Sequence, residues 1–575
     1  MTTTSKWWQK AVFYQIYPRS FCDSDGDGIG DIPGIISKLD YVKSLGVDAI
    51  WLSPVFKSPQ DDNGYDISDY QDIDPMFGTL DDMHTLLKEA NDRGIKIIMD
   101  MVLNHTSDEH PWFIESKKDR TNPKHDWYVW RDGVPGTPPN ALRSCFGGSA
   151  WEWCDECGQY YLHQYSVKQP DLNWDNPEVR QALYDMMNWW VSQGAGGFRL
   201  DVIDSIAKEP DRMVTAEGTN LHKYVKEMSA AVLQGKDLVA VGEAWSANVE
   251  RAKLWSNPDG SELSMVFQFE HIGLDQQEGK DKWDLAPLQL RRLKDVFGRW
   301  QTELNGQGWN SLFWNNHDLP RIVSRWGNDG RYRVESAKML ATILYGLQGT
   351  PYLYQGEELG MTNAPYALEE YRDIEIVNMI AERRAAGYSE AEITASIHAK
   401  GRDNARTPMQ WDASPNAGFT TGTPWLKVNP NYVQINAADQ VGREDSVLSY
   451  YKRLIALRKR EDVIRTGEYQ QILPERDDLF CYSRCDGESR LTVVANFTGG
   501  TASLPEAVLK DAGALEICNY SDAPVNGQLR PYEAGCILKS KPKRRKNKSR
   551  GGSVSTFSHS RGNGRSFCWQ NENGS

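Results

Sequence analysis

The stretch Thr79–Val102, TLDDMHTLLKEANDRGIKIIMDMV, decides the fold class because it contains one complete helix–strand unit. Thr79 and Asp82 form a capping box at the start of a helix, and Gly94 ends it. The apolar face of this helix recurs at helical spacing, at Met83, Leu86, Leu87 and Ala90. Lys96–Val102 (KIIMDMV) then makes a short apolar run typical of a strand buried on both faces. The unit predicts a parallel α/β sheet.

The same pattern repeats on both sides of this unit. Upstream, a helical apolar stripe ends at Gly46 and the strand Asp48–Val55 follows; downstream, Asn176 and Pro177 open another helix. Further apolar runs predict buried strands at Gly197–Val202, Leu238–Trp245 and Ser311–Trp314. Several hundred residues of such units favour a (β/α)8 TIM barrel over an open sheet. The lack of a GxGxxG motif after the first strand argues against a dinucleotide-binding fold.

The alternation stops in places, and these interruptions predict the domain boundaries. We assign residues 1–104 and 175–468 to the barrel, and residues 105–174, rich in Pro, Gly, Trp and Cys, to a subdomain inserted after the third strand. Residues 469–538 carry short alternating strands that predict an all-β C-terminal sandwich domain. Residues 539–575 are basic and then Ser/Gly/Asn-rich, which predicts a disordered tail.

Composition narrows the function classes. The chain has 575 residues, 39% hydrophobic, and a net charge of −14, although its last 37 residues hold ten basic side chains and one acidic one. The acidic body repels phosphate backbones, so nucleic acid is not an expected partner. The sequence holds no apolar run long enough to span a membrane and no signal-peptide pattern, so we expect a cytoplasmic monomer. The nine cysteines, with a single CxxC at Cys154–Cys157, indicate free thiols.

Acidic and histidine side chains cluster at the predicted ends of four strands. Asp100 lies near the end of the first of these strands and His105 follows it; Asp201 and Glu243 lie at the ends of the next two, and His317–Asp318 follow the fourth. In a barrel, groups at the carboxyl ends of strands converge on one pocket. A single acid at such a place is usually a cap or an ion-pair partner. The whole set predicts an active site.

The motifs around these residues resemble those of the α-amylase superfamily, glycoside hydrolase family 13. Four segments are similar to its conserved regions: DMVLNH, GFRLD, VGEAW and NNHD. Others resemble its oligo-1,6-glucosidase branch: QPDLNW, DDNGYD, WWQKAVFYQIYPRSF, GTPYLYQGEELGM and GRDNARTPMQWD. The resemblance covers Trp7 to about Leu538, in the order of the predicted strands.

The resemblance implies a retaining glycosidase. Asp201 would be the nucleophile, Glu243 the acid and base, and Asp318 a third acid that grips sugar hydroxyls. Retention needs the two reacting carboxyl groups about 5–5.5 Å apart. Arg199 lies two residues before Asp201 and so projects to the same side of the strand. We therefore expect a lowered pKa for Asp201 and a raised one for Glu243.

The resemblance also implies a glucose pocket. His105 and His317 would hydrogen-bond the glucose, and Tyr65 would stack on it. Asp62 and Arg406 would close its nonreducing end.

Three residues bear on the linkage that is cut. Val202 follows the nucleophile, where members of the branch that prefer α-1,6 bonds typically carry Val and maltases often carry Thr. Trp245 and Lys282 resemble aglycone-side residues of glucan 1,6-α-glucosidases. The resemblance thus implies exo-hydrolysis of isomaltooligosaccharides and short dextrans.

The alternatives are an α-1,4-acting maltase, a sucrose isomerase or trehalose synthase, and a non-catalytic amylase-like binding protein. The Arg-Leu-Asp-Arg-Asp motif of sucrose isomerases is missing, and the intact acids argue against a binding protein.

An acidic loop near the N-terminus, DSDGDGIGD from Asp23 to Asp31, has the alternating acids of a calcium loop. Its twelfth position is Gly34 rather than Glu, which excludes an EF-hand. The resemblance implies a structural Ca2+ held by Asp23, Asp25, Asp27, Asp31 and the carbonyl of Ile29. No organic cofactor is expected.

Overall fold

The computed structural model describes residues 6–510, 513–522 and 527–540. Lys539 and Ser540, which the sequence places in the basic tail, belong to the last strand, and the remainder of the predicted tail lies outside the described residues. In the described part of the chain, no helix has the length and apolarity that crossing a membrane requires.

The described strands form one large parallel sheet and several small antiparallel ones. In chain order the strands are β1 Phe13–Ile16, β2 Ala49–Leu52, β3 Phe56–Lys57, β4 Asp69–Ile73, β5 Lys96–Val102, β6 Trp130–Arg131, β7 Trp151–Cys154, β8 Gln159–Leu162, β9 Gly197–Asp201, β10 Val239–Glu243, β11 Met265–Phe267, β12 Ser311–Leu312, β13 Thr350–Tyr354, β14 Glu468–Ile472, β15 Leu479–Cys485, β16 Ser489–Asn496, β17 Ala502–Ser503, β18 Ala514–Cys518, β19 Gln528–Leu529 and β20 Ala534–Ser540.

Eight of these strands form the predicted barrel. Their order is β11-β10-β9-β5-β2-β1-β13-β12, every pair is parallel, and a bridge between Val266 and Asn310 joins the two end strands. Large side chains fill the interior, among them Phe13, Trp51, Phe267 and Tyr352. This filled centre is typical of a TIM barrel, and the predicted fold class is confirmed.

The described residues form seventeen α-helices, one of them in the inserted segment and one in the C-terminal part. They are α1 Ile32–Ser37, α2 Leu39–Ser44, α3 Leu80–Asp92, α4 Pro111–Ser116, α5 Pro177–Gln193, α6 Leu221–Met228, α7 Val249–Trp255, α8 Leu290–Glu303, α9 Ile322–Arg325, α10 Arg333–Tyr345, α11 Ile374–Ala385, α12 Glu390–Lys400, α13 Asp403–Arg406, α14 Ala437–Gln440, α15 Val447–Arg460, α16 Val463–Thr466 and α17 Glu506–Leu509. The caps expected at Thr79 and Asn176 are present. The helix expected to run up to Gly46 is divided at Lys38 into α1 and α2.

The segment after the third barrel strand carries its own sheet, in the order β6-β8-β7. A buried lysine ties this segment to the barrel. Lys208 Nζ lies 2.6 Å from Asp171 Oδ2 and 2.6 Å from Asn104 Oδ1. Because Asn104 precedes His105, this contact fixes the position where the chain leaves the barrel.

The C-terminal part contains a five-stranded antiparallel sheet, β14-β15-β16-β20-β18, and the small pair β17-β19. Tyr482 of β15 donates a hydrogen bond to the Ile343 carbonyl of α10, at 2.7 Å. The sheet therefore packs on the barrel helices.

Candidate active site

A cavity of about 730 Å³ opens at the carboxyl ends of the barrel strands, which is where TIM barrels place their active sites. Nine of the predicted site residues line it: Asp62, Tyr65, His105, Asp201, Val202, Glu243, Trp245, Lys282 and Asp318. Three more, Arg199, His317 and Arg406, are buried in the wall behind these residues.

One guanidinium group organises the centre of the cavity. Arg199 Nη1 lies 2.8 Å from Asp100 Oδ1 and 2.7 Å from Asp201 Oδ1, while Nη2 lies 2.6 Å from Glu243 Oε2. Arg199 and Asp201 lie on the same face of β9, as the alternation of a strand requires. Because the guanidinium is a planar, rigid fork, it places Asp201 and Glu243 side by side.

Glu243 receives a second hydrogen bond from the residue after Asp201. The Val202 N–H donates to Glu243 Oε2 at 3.1 Å, and Val202 has a left-handed φ of 35°. A β-branched residue in this region is strained, and such strain concentrates at functional sites. The turn after β9 therefore fixes one carboxyl oxygen of Glu243.

Burial raises the pKa of Asp201 and of Glu243, and Arg199 lowers both. For Asp201, the negative charges of Glu243 and Asp100 add to the rise. The raised pKa of Glu243 is as expected, but the expected lowering for Asp201 is wrong, because burial and its acidic neighbours outweigh the arginine. One proton shared by the two acids relieves this repulsion, and the titration belongs to the pair rather than to either residue.

Asp318 differs from these two acids. Burial acts to raise its pKa, but His317, Arg402 and Arg406 outweigh burial and hold the pKa well below its usual range. Arg406 Nη2 lies 2.7 Å from Asp318 Oδ1, and Arg402 Nη1 lies 3.4 Å from the same oxygen. Asp318 is thus a fixed negative charge in the cavity wall.

The prediction that Arg406 closes the cavity requires correction. Arg402 lines the cavity and reaches Asp62 Oδ1 at 3.3 Å. Arg406 stands behind it and bonds the carbonyl of His317 at 3.0 Å. The two arginines are four residues apart around the short helix α13, so both point the same way and the sequence offers no means of choosing between them.

Tyr65 and His317 form a stacked pair at the base of the cavity. Their ring centroids are 5.3 Å apart and nearly parallel, and Tyr65 Oη lies 2.7 Å from His317 Nε2. Tyr65 Oη also donates to Asp100 Oδ2 at 2.9 Å. Burial lowers the pKa of His317 to about 3, so this ring is neutral. His317 therefore supports Tyr65 from behind.

Asp62 and His105 share a polar neighbour that sequence reasoning missed. Gln169 Nε2 donates to Asp62 Oδ2 and to the Tyr65 carbonyl, each at 3.2 Å. His105 Nε2 bonds the same carbonyl at 3.1 Å, and burial lowers the pKa of His105 to about 4. Burial raises the pKa of Asp62 to about 7 although Arg402 acts against it.

The outer part of the cavity combines an aromatic surface with an ion pair. Trp245 is 51% exposed and stacks on Phe269, with ring centroids 3.8 Å apart. Lys282 Nζ lies 2.6 Å from Glu375 Oε2, and Glu375 also lines the cavity. This side offers a flat ring and paired charges, which suit the faces and hydroxyls of a sugar.

The sequence of residues 15–467 matches the model of a protein family described as "Alpha amylase, catalytic domain". The chain is a member of the alpha-amylase family. Curated relatives include an oligo-1,6-glucosidase of Halalkalibacterium halodurans, 52% identical over 93% of this chain and 99% of the relative. A glucan 1,6-alpha-glucosidase of Streptococcus pneumoniae is 52% identical over 92% of this chain and 99% of the relative.

Solved structures of the family include relatives whose names differ from those of the two curated relatives. A trehalose-6-phosphate hydrolase of Bacillus licheniformis superposes with a TM-score of 0.89 at 47% identity, over 93% of this chain and all of that chain. An isomaltulose synthase of Klebsiella gives 0.89 at 42% identity, with the same coverage.

Twenty further residues line the cavity without having been predicted, among them Cys145, Phe146, Gln164, Tyr165 and Arg402. Four of them come from the inserted segment, where the loop 142–148 and the residues after β8 approach the barrel. An irregular segment gives no periodic signal, so the sequence does not show which of its residues turn inward. Only Arg402 lies within a motif that sequence reasoning quoted.

The acidic loop lies apart from this cavity. Carboxylate oxygens of Asp23, Asp25 and Asp27 lie within 4.8 Å of one another, and Asp25 and Asp27 are exposed. Asp31 is not in this cluster: its Oδ1 accepts from Gly34 N and its Oδ2 from Ser24 N. Asp31 caps α1, so three of the four predicted acids converge.

Proposed function

We propose that this chain is a retaining, exo-acting α-glucosidase that hydrolyses α-1,6-glucosidic bonds at the nonreducing end of isomaltooligosaccharides and short dextrans. One observation carries the proposal: Arg199 holds Asp201 and Glu243 on neighbouring nitrogens of one guanidinium group. Two carboxyl groups so placed suit double displacement, because inversion needs a wider separation that admits a water between them.

The reaction proceeds in two steps. Asp201 attacks the anomeric carbon and forms a glycosyl ester, while Glu243 donates its proton to the leaving glycosidic oxygen. Glu243 then removes a proton from water, which attacks the same carbon and releases Asp201. The raised pKa of Glu243 supplies the proton at the start, and Asp318 binds hydroxyls of the distorted ring.

The closed end of the cavity supports exo-cleavage. Asp62 and Arg402 bond each other there, and Tyr65 forms the base beneath one glucose. An ion pair across this end suits a pocket for one terminal sugar better than a cleft for an inner segment of a glycan. The α-1,6 preference rests on Val202 beside the reacting centre, on Trp245 and Lys282 at the open end, and on the names of the curated relatives.

A substrate panel tests this proposal. Purified protein is incubated with isomaltotriose, short dextran, maltose and sucrose, and the sugars are separated by anion-exchange chromatography. Glucose release from isomaltotriose and dextran, with little from maltose, supports the proposal. The proposal is contradicted if isomaltulose forms from sucrose, or if glucose is released from maltose as fast as from isomaltotriose. The Asp201→Asn variant, checked for folding by circular dichroism, is the inactive control.

We also propose a structural Ca2+ at the acidic loop, held by Asp23, Asp25 and Asp27 with the Ile29 carbonyl and Asp31 as neighbours. Carboxylate and carbonyl oxygens are the ligands this hard cation prefers, and the three convergent carboxylates fit it. The ion would neutralise their mutual repulsion. Calcium titrated into chelator-treated protein should raise the melting temperature, and Asp25→Asn should abolish that rise without loss of activity at low temperature.

A cytoplasmic monomer acting on free oligosaccharides completes the proposal. The eight described cysteines are all free thiols, as reducing conditions favour, and the acidic body disfavours nucleic acid. Light scattering coupled to gel filtration tests the monomer: a mass near 65.2 kDa is expected.

A further inference from the structure

The CxxC sequence Cys154-Asp155-Glu156-Cys157 lies at the tip of a hairpin, and neither cysteine lines the cavity. It forms the turn between β7 and β8, whose last pair is Cys154 opposite Gln159. The Gly158 N–H donates to the Cys154 carbonyl at 2.9 Å, and Gly158 has a left-handed φ of 67°. The chain therefore makes one helix-like turn that brings the two cysteines together.

The two thiols have different surroundings. Cys154 is half-buried, and the Cys157 thiol and the backbone N–H groups of Cys157 and Glu156 are the donors that act on its sulfur. These donors stabilise the thiolate and lower the pKa of Cys154 to about 6. Cys157 is buried. Its interaction as a proton donor with Cys154, together with burial, raises its pKa.

A metal site does not explain the pair. A structural zinc needs four ligands, and in the described ranges the one group of three or more metal-binding side chains within reach of each other is the acidic loop. Arg120 instead braces the turn, donating to the carbonyl of Cys157 at 3.0 Å and to that of Gly158 at 2.6 Å. These hydrogen bonds hold the turn in shape.

We infer that Cys154 and Cys157 are a redox-active dithiol that closes to an intramolecular disulfide by exchange with a low-molecular-weight disulfide. A partly accessible thiolate beside a buried thiol in one turn is the arrangement that such exchange requires. Cys154 attacks the small disulfide and releases one thiolate, leaving a mixed disulfide. Cys157 then loses its proton, attacks the Cys154 sulfur and releases the second thiolate, so two thiols are oxidised and one disulfide is reduced.

Differential alkylation of the full chain tests this inference. The reduced protein is equilibrated with oxidised glutathione, alkylated with a maleimide and digested with trypsin, which yields the peptide Ser144–Lys168 with its three cysteines. We expect this peptide to carry one label, on Cys145, instead of three. Its mass should also be two hydrogens lower than that of the same singly labelled peptide with free Cys154 and Cys157, because these two form a disulfide. Three retained labels, or a disulfide that includes Cys145, would overturn the inference.

Single substitutions separate the roles of the two thiols. Cys157→Ser should trap one glutathione on Cys154, because the resolving thiol is missing, whereas Cys154→Ser should trap none on Cys157. Glutathione on neither variant, or on Cys157 alone, also counts against the inference. Both variants should keep the hydrolytic activity of the parent, so this result is independent of the proposed function.

Discussion

The buried Lys208 offers a direct test of how the inserted segment is held on the barrel. Its ammonium group contacts Asp171 and both the carbonyl and side-chain oxygens of Asn104. Lys208→Met keeps the length of the side chain but leaves the buried carboxylate of Asp171 without a counter-charge. Breaking a buried pair in this way costs about 3–5 kcal/mol.

The magnitude is limited by the partners that Asp171 retains. Gln164 still donates to it from its backbone N–H at 2.9 Å and from its side chain at 2.8 Å, which places the expected loss near about 3 kcal/mol. Urea unfolding followed by tryptophan fluorescence measures this loss. The double variant Lys208→Met/Asp171→Asn should recover most of it, since no charge then remains buried.

Lys253→Met is the matched control, because Lys253 pairs with the exposed Glu250 at 2.6 Å. This surface pair should contribute less than about 1 kcal/mol. Equal losses for Lys208→Met and Lys253→Met, or a double variant no more stable than Lys208→Met, would show that Lys208 does not stabilise the buried Asp171 carboxylate.

Further outcomes follow from single side chains. Burial raises the pKa of Glu357 to about 8, so the folded state binds this proton more tightly than the unfolded state does. The free energy of unfolding should therefore fall by about 1.4 kcal/mol for each pH unit between about 4.5 and 8. Melting curves across this pH range should show the fall in the parent and not in Glu357→Gln. Arg402→Ala leaves Asp62 without its cation and should lower kcat/KM for isomaltotriose at least 100-fold in initial-rate assays; a loss under tenfold counts against its role. Trp245→Ala removes the ring stacked on Phe269 and should raise KM for isomaltotriose about tenfold while kcat changes little; an unchanged KM would show that the ring is not used.

The sequence predicts most of the barrel, because its strands are apolar and end in recognisable residues. Lys96–Val102 forms a strand over the predicted range. The strands Phe13–Ile16 and Met265–Phe267 were not predicted: the first includes Gln15 and the second has only three residues. Such short strands are held by pairing with their neighbours in the barrel.

Within the site, the sequence identifies the reacting groups and misses features that depend on distant contacts. Asp201 and Glu243 are visible from their places at strand ends. The pKa of Asp201 is not, because it depends on charges contributed by several strands. The sequence predicts Arg406 at the cavity surface, where the structure places Arg402. Arg406 is buried behind Asp318, and this burial depends on the whole fold.

Covalent trapping tests whether Asp201 and Glu243 act on one sugar in turn. The protein is treated with 5-fluoro-α-D-glucosyl fluoride, which slows hydrolysis of the glycosyl ester, and is then digested at acid pH for mass spectrometry. We expect one fluoroglucosyl group per chain, attached to Asp201. Attachment to another residue, or release of β-glucose as the first product from natural substrate, would rule out this mechanism.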